Sequence, residues 1–108
     1  MNLLDLKVRI LKALSDPTRI KILESLKDGK ELCGCEFDEM FDQTQSTISR
    51  HLKSLEDADL IISNKVGQKK LYRIKDPHLF EIFATLDQMI KRNKKYKQIV
   101  KLQEQITL

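Results

Sequence analysis

The sequence holds little of what catalysis or membrane insertion needs. No apolar run approaches the roughly 20 residues that a bilayer core demands, so no membrane-spanning helix is expected. The first residues carry no signal-peptide pattern, and a cytoplasmic protein is expected. Three glycines form no glycine-rich phosphate loop, and two histidines provide no Ser-His-Asp set, so an enzyme is not expected. Glu36, Asp38 and Glu39 are clustered carboxylates without an evident pocket and read as a solvated face. The only cysteines, Cys33 and Cys35, flank a single residue, which is poor spacing for a structural disulfide. Internal repeats and low-complexity linkers are absent.

What remains is a composition suited to one small globular domain over residues 1–108, with 41% hydrophobic and 33% charged residues. The net charge of +4 permits a polyanionic partner without requiring one. Its distribution says more. Between Gln43 and Lys75, seven bases face three acids, a surplus equal to the whole net charge. From Glu31 to Asp42 there are five acids and no base.

Apolar spacing orders the chain. Leu3 to Leu14 predicts a first amphipathic helix with apolar faces broad enough for more than one contact. Asp16 can cap a second helix with Pro17 at its first position, ending near Asp28-Gly29. A third short helix is expected from Cys33 to Phe41, and Thr44 caps a fourth. Leu60 to Val66 and Lys69 to Ile74 read as strands joined by the turn Gly67-Gln68. Asp76-Pro77 opens a long last helix, with Leu79, Ile82, Phe83, Leu86, Met89 and Ile90 at helical spacing. The expected fold is therefore α+β, mainly helical, a winged helix-turn-helix of order ααααββα.

The fourth helix is the most informative segment. Ile48, Leu52 and Leu55 would anchor its back, while Gln45, Ser46, Thr47, Ser49, Arg50, His51 and Lys53 face outward. Such a helix can read a major groove. Its bland counterpart is an ordinary amphipathic surface helix. The hairpin adds Lys65, Lys69, Lys70 and Arg73, placed to follow the phosphate backbone or enter the minor groove. His51 reads as a phosphate or base contact, His78 as a helix-start residue, and Lys91–Lys97 as a solvated basic face. A reading helix spans few base pairs, so specificity calls for two half-sites about 34 Å apart. The terminal helices also carry more apolar residues than a monomer of this size readily buries.

Three stretches, in this order, resemble the ArsR/SmtB family of small winged-helix repressors. They are Ala13-Leu14-Ser15-Asp16-Pro17-Thr18-Arg19-Ile20-Lys21-Ile22-Leu23, Glu31-Leu32-Cys33-Gly34-Cys35-Glu36-Phe37 and Gln45-Ser46-Thr47-Ile48-Ser49-Arg50-His51-Leu52. The resemblance, with the wing, spans residues 13 to 75. It implies a homodimer built through the terminal helices, bound to a palindromic double-stranded DNA operator.

Thiolates favour soft partners such as arsenite, Cd, Pb, Zn or Cu(I), which makes Cys33 and Cys35 candidate effector ligands and no cofactor a requirement. In an unbroken helix, residues two apart point about 200° apart, so one ion would reach both sulfurs only if the helix start unwinds. Gly34 lowers the resistance to that. Capture there would mis-set the reading helix. Arsenite-responsive members of the family commonly have a third cysteine where this chain has Asp38, a candidate third ligand. Cadmium- and lead-type members add N-terminal cysteines, absent here. Asp76-Pro77-His78 fits half of the family's zinc site, but Met89 and Arg92 stand where its later ligands should be. Two other readings of the cysteines stay open: buried small apolar residues, and a redox pair in a repressor with no metal effector.

Overall fold

A computed structural model describes residues 1–107. It divides into two compact units, Met1–Pro77 and a second from His78 onward. In the first, α1 (Leu3–Leu14) is followed by α2 (Pro17–Ser25), β1 (Leu32–Cys33), α3 (Gly34–Met40), α4 (Gln45–Asp57), β2 (Ile61–Val66) and β3 (Lys69–Ile74). In the second, α5 (Leu79–Arg92) precedes α6 (Lys94–Thr107).

Local chemistry explains the boundaries. Asn2 caps α1 in a reciprocal box with Asp5, and Asp16 caps α2 by accepting from the Arg19 amide at 3.0 Å, with Pro17 at the first helical position. The chain leaves α2 through a short 3₁₀ turn, Lys27–Gly29, in which Gly29 takes a φ of 76°. Thr44 caps α4, its Oγ1 accepting from the Thr47 amide at 3.2 Å. Gly67, with φ 62°, opens the two-residue turn between β2 and β3.

Two elements were not expected. The last helix is two, because Asn93 leaves helical geometry and its Oδ1 accepts from the Tyr96 amide at 3.0 Å, capping α6. The sheet has three antiparallel strands in the order β1-β3-β2, since Leu32 and Cys33 pair with Tyr72 and Leu71 of β3. Two residues are too few to show an alternating pattern, which is why β1 escapes a reading by periodicity.

The core of the first unit gathers Ile22, Leu23 and Leu26 of the second helix and the turn after it, Phe37 of α3, Ile48, Leu52 and Leu55 of α4, and Ile61 and Tyr72 of the sheet, all buried. Phe37 and Tyr72 meet edge to face with ring centres 6.2 Å apart, tying α3 to β3. Thr18, the polar residue buried with this core, accepts from the Gln43 side-chain amide. α1 by contrast leaves Leu3, Leu4, Leu6, Val8 and Leu11 exposed. In the second unit Leu86, Met89, Ile90, Tyr96, Ile99 and Val100 of α5 and α6 line an open cavity of about 440 Å³.

Leu55 is fully enclosed. Leu55→Ala should lower stability by about 2–5 kcal/mol, the range for an emptied leucine site, measured by urea unfolding. A decrease smaller than about 1 kcal/mol would mean that α4 is not anchored through this face.

Candidate nucleic-acid interface and thiol pair

α3 and α4 flank the turn Phe41–Thr44, and α4 shows two chemically distinct sides. Ile48, Leu52 and Leu55 point inward and are buried, while Gln45, Ser46, Ser49, Arg50 and Lys53 are exposed. Thr47 is half-buried beside Arg50, whose Nη2 donates to its Oγ1 at 3.4 Å. Lys53 lies 3.9 Å from Asp57 one turn on, an exposed pair that constrains it little.

His51 lies differently from the sequence expectation. It is half-buried, and its Nδ1 accepts from Arg19 Nε of α2 at 3.1 Å. With Nδ1 accepting, the ring proton belongs on Nε2, which stands 3.9 Å from Asp16 Oδ2. His51 is thus a tie between α2 and α4 rather than part of the outward tip. Helical spacing within α4 does not reveal this, because the partner is 32 residues distant in sequence.

The wing is similarly divided. Lys65 and Lys69 are exposed near the hairpin turn, and Lys65 pairs directly opposite Lys70. Lys70 reaches Glu56 Oε1 at 3.4 Å and lies 5.5 Å from the centre of the Tyr72 ring. The Tyr72 phenol foremost, with the Glu56 carboxylate adding to it, holds its ammonium above the ordinary lysine range against the opposing cost of burial. Arg73 is half-buried farther down β3, opposite Ile62. Glu56, which sequence reasoning did not single out, also accepts from Ser63 Oγ at 3.1 Å. One carboxylate at the end of α4 therefore grips both wing strands.

The thiol pair corrects two expectations. α3 starts at Gly34, so Cys33 is not helical but extended, with φ −85° and ψ 162°. The two side chains consequently converge rather than diverge. Despite the spacing, the sulfurs are joined in a disulfide with Cα atoms 5.4 Å apart. Cys33 is buried and belongs to β1, while Cys35 is exposed on the first turn of α3. The Cys33 amide donates to Glu36 Oε1 at 3.3 Å. Asp38 is half-buried on α3, and among the described residues no three His, Cys, Asp or Glu side chains are grouped to hold a metal ion. His78 directly precedes α5, at the helix start where it was expected. No described helix is long and apolar enough to cross a membrane.

Comparison with known proteins agrees with this layout. Residues 16–63, from the cap of α2 into β2, match the model of the bacterial regulatory protein, arsR family. The arsenical resistance operon repressor of Staphylococcus xylosus is 45% identical over 78 residues, which cover 72% of this chain and 74% of that protein. The chain belongs to the arsR family. A cadmium resistance transcriptional regulatory protein CadC homolog of Staphylococcus aureus is 32% identical over 74 residues, 68% of this chain and 61% of that one. A solution structure from Mycobacterium bovis, described as a homodimeric winged helix-turn-helix DNA-binding domain, superposes with a TM-score of 0.72 at 27% identity, covering 82% of each chain. As an arsR-family member the chain is a DNA-binding regulator of transcription and not an enzyme. Its mainly helical fold with a small antiparallel sheet is that of the family's winged helix-turn-helix domains.

Arg50 is exposed and its guanidinium bonds to Thr47 on its own helix, so Arg50→Ala should leave the melting temperature unchanged and weaken duplex binding about tenfold. The dependence of log affinity on log salt should become shallower by about 0.9 for each phosphate that the variant no longer neutralises. Equal affinity of variant and wild type in a fluorescence-anisotropy titration would remove Arg50 from the interface.

Proposed function

We propose that this chain is a repressor that binds a palindromic operator as a homodimer through α4 and the β2–β3 wing. A thiol-binding metalloid or metal, arsenite foremost, is its inducer and is captured at Cys33 and Cys35. The observation that carries the DNA reading is the two-sidedness of α4, buried along Ile48, Leu52 and Leu55 and exposed along Gln45, Ser46, Ser49, Arg50 and Lys53. Lys65 and Lys69 at the wing tip extend the positive surface toward the backbone. Leu3, Leu4 and Leu11 of α1 and Met89, Ile99 and Leu102 of the C-terminal unit are all more than half exposed, an apolar excess that a second copy would cover. The regulators of similar sequence act on arsenical and cadmium resistance, which supports a soft effector.

The position of Cys33 supplies the switch. It is the last residue of β1, paired with Leu71 of β3, and it directly precedes α3. Once reduced, Cys33 and Cys35 offer two soft donors on converging side chains, with Asp38 or an exogenous thiol for a third. A ligand that pulls on Cys33 therefore strains the wing ladder and the start of the helix-turn-helix together. DNA affinity falls, and DNA opposes ligand binding by the same factor.

The joined sulfurs favour a second reading, in which two-electron oxidation of the pair is itself the signal and no metal takes part. One experiment separates the two. Reduced protein on its selected DNA is titrated with arsenite, cadmium and zinc, and in parallel with a thiol oxidant. The first reading expects release by a thiophilic ligand from reduced protein, and no release from the variant with both Cys33→Ser and Cys35→Ser, whose DNA affinity is unchanged. Release by the oxidant alone supports the second reading. Release of the double serine variant by arsenite would exclude the cysteines as the effector site.

A further inference from the structure

Beside the outward face of α4 lies a cavity of about 320 Å³ lined by Arg19, Thr47, Arg50, His51 and Ser54. Its wall is rich in donors, with two guanidiniums and two hydroxyls, and no carboxylate lines it. Among the described residues neither Arg19 nor Arg50 forms an ion pair through its guanidinium. Arg19 comes from α2, outside the helix-turn-helix, and is held in place before any ligand arrives. Its Nε donates to His51 Nδ1 at 3.1 Å and its Nη1 to the Ala13 carbonyl at 3.4 Å. Asp16 stands behind the ring and fixes the backbone of Arg19 through its cap. Ordering a long side chain in advance spares that entropy on binding.

The place of the cavity on α4 names its occupant. At about 100° per residue, Arg50, Ser54, Thr47 and His51 fall roughly 15°, 55°, 75° and 115° to one side of the line opposite the buried Ile48, Leu52 and Leu55 stripe, so the cavity runs from the front of α4 down one flank. A helix about 10–12 Å wide fills a major groove of about 12 Å, so its flanks, unlike its tip, meet the sugar-phosphate strands. We propose that this cavity seats one backbone phosphate of duplex DNA in each subunit, with Arg19 as a direct phosphate donor. The proposal rests on the reading of α4 as the DNA-binding helix and adds to it a contact from α2 that fixes how deeply and at what roll α4 enters the groove. A phosphodiester suits the lining because its two free oxygens can take both guanidiniums and a hydroxyl at once.

The test uses full-length protein and duplexes that it selects from random-sequence DNA. Each phosphate flanking the selected site is replaced singly by an uncharged methylphosphonate, and affinities are measured for wild type, Arg19→Gln and Ser54→Ala. At one backbone position per half-site, the replacement should weaken wild type about tenfold and Arg19→Gln severalfold less, since Arg50 and the hydroxyls of the cavity still face that phosphate. Arg19→Gln should also lower the salt slope, by at most about 0.9 per site because Arg50 still faces the same phosphate. Equal sensitivity of Arg19→Gln and wild type at every position, with an unchanged slope, overturns the proposal and leaves Arg19 a support for His51. Ser54→Ala removes a donor without touching the Arg19–His51 bond, so it carries the same coupling test should Arg19→Gln fail to fold. Its sensitivity matching that of wild type at every position overturns the proposal as well. Wild type indifferent to every neutralised phosphate would instead remove the underlying reading of α4.

Discussion

The burial of one aliphatic stripe, Ile48, Leu52 and Leu55, is the constraint on which the outer surface of this protein depends. Each such side chain contributes about 1.5–3 kcal/mol when withdrawn from water, enough to hold a 13-residue helix that would be marginal alone. Apolar contact has no direction, however, and leaves a helix some freedom to roll on its support. Hydrogen bonds remove that freedom here. Gln43 is tied to Thr18 ahead of α4, His51 to Arg19 in its middle, and Glu56 to Ser63 and Lys70 at its end. Two of these three ties come from the first turn of α2, so that turn serves as the frame against which the exposed face of α4 is aligned.

Charge follows a second logic. The basic surplus lies in the segment from Gln43 to Lys75, yet its members are not equivalent. Lys70 is committed to Glu56 and the Tyr72 ring, and Lys75 to Asp59 at 2.7 Å, whereas Lys65 and Lys69 stand exposed at the wing tip. Lys70 and Lys75 each lie against a carboxylate, while Lys65 and Lys69 project the field of the wing. Acidic residues concentrate instead between Glu31 and Asp42, ahead of α4, which sharpens the polarity of the unit.

Much of the fold was readable because its signals are local. Asp16-Pro17 and Thr44 are caps, Gly67-Gln68 is a hairpin turn, and the stripe on α4 is a helical repeat, so α1, α2, α4 and the hairpin emerge within a few residues of their predicted bounds. What escaped was set by partners remote in sequence or by too few residues. β1 exists only because β3 offers Leu32 and Cys33 a ladder, and the same pairing holds Cys33 out of the helix in which it was expected. Asn93, a good capping residue, was hidden inside a basic run that reads as one continuous face, and with it α6. At the interface, exposure of Gln45, Ser46, Ser49, Arg50 and Lys53 follows from periodicity, while the turn of His51 toward α2 follows from Arg19. Glu56 carried no recognisable motif, and its role is visible only once the wing lies beside it.

The strand order β1-β3-β2 leaves β2, among the described residues, with an unpaired edge, and an open edge is a template on which strands of neighbouring molecules can stack into aggregates. Lys65 sits on that edge, so two copies stacking their β2 edges parallel and in register would bring like charges together. A lysine that suits a polyanion thus also guards the protein against fibrous self-association, and exchanging it for an uncharged β-former would weaken both properties at one stroke.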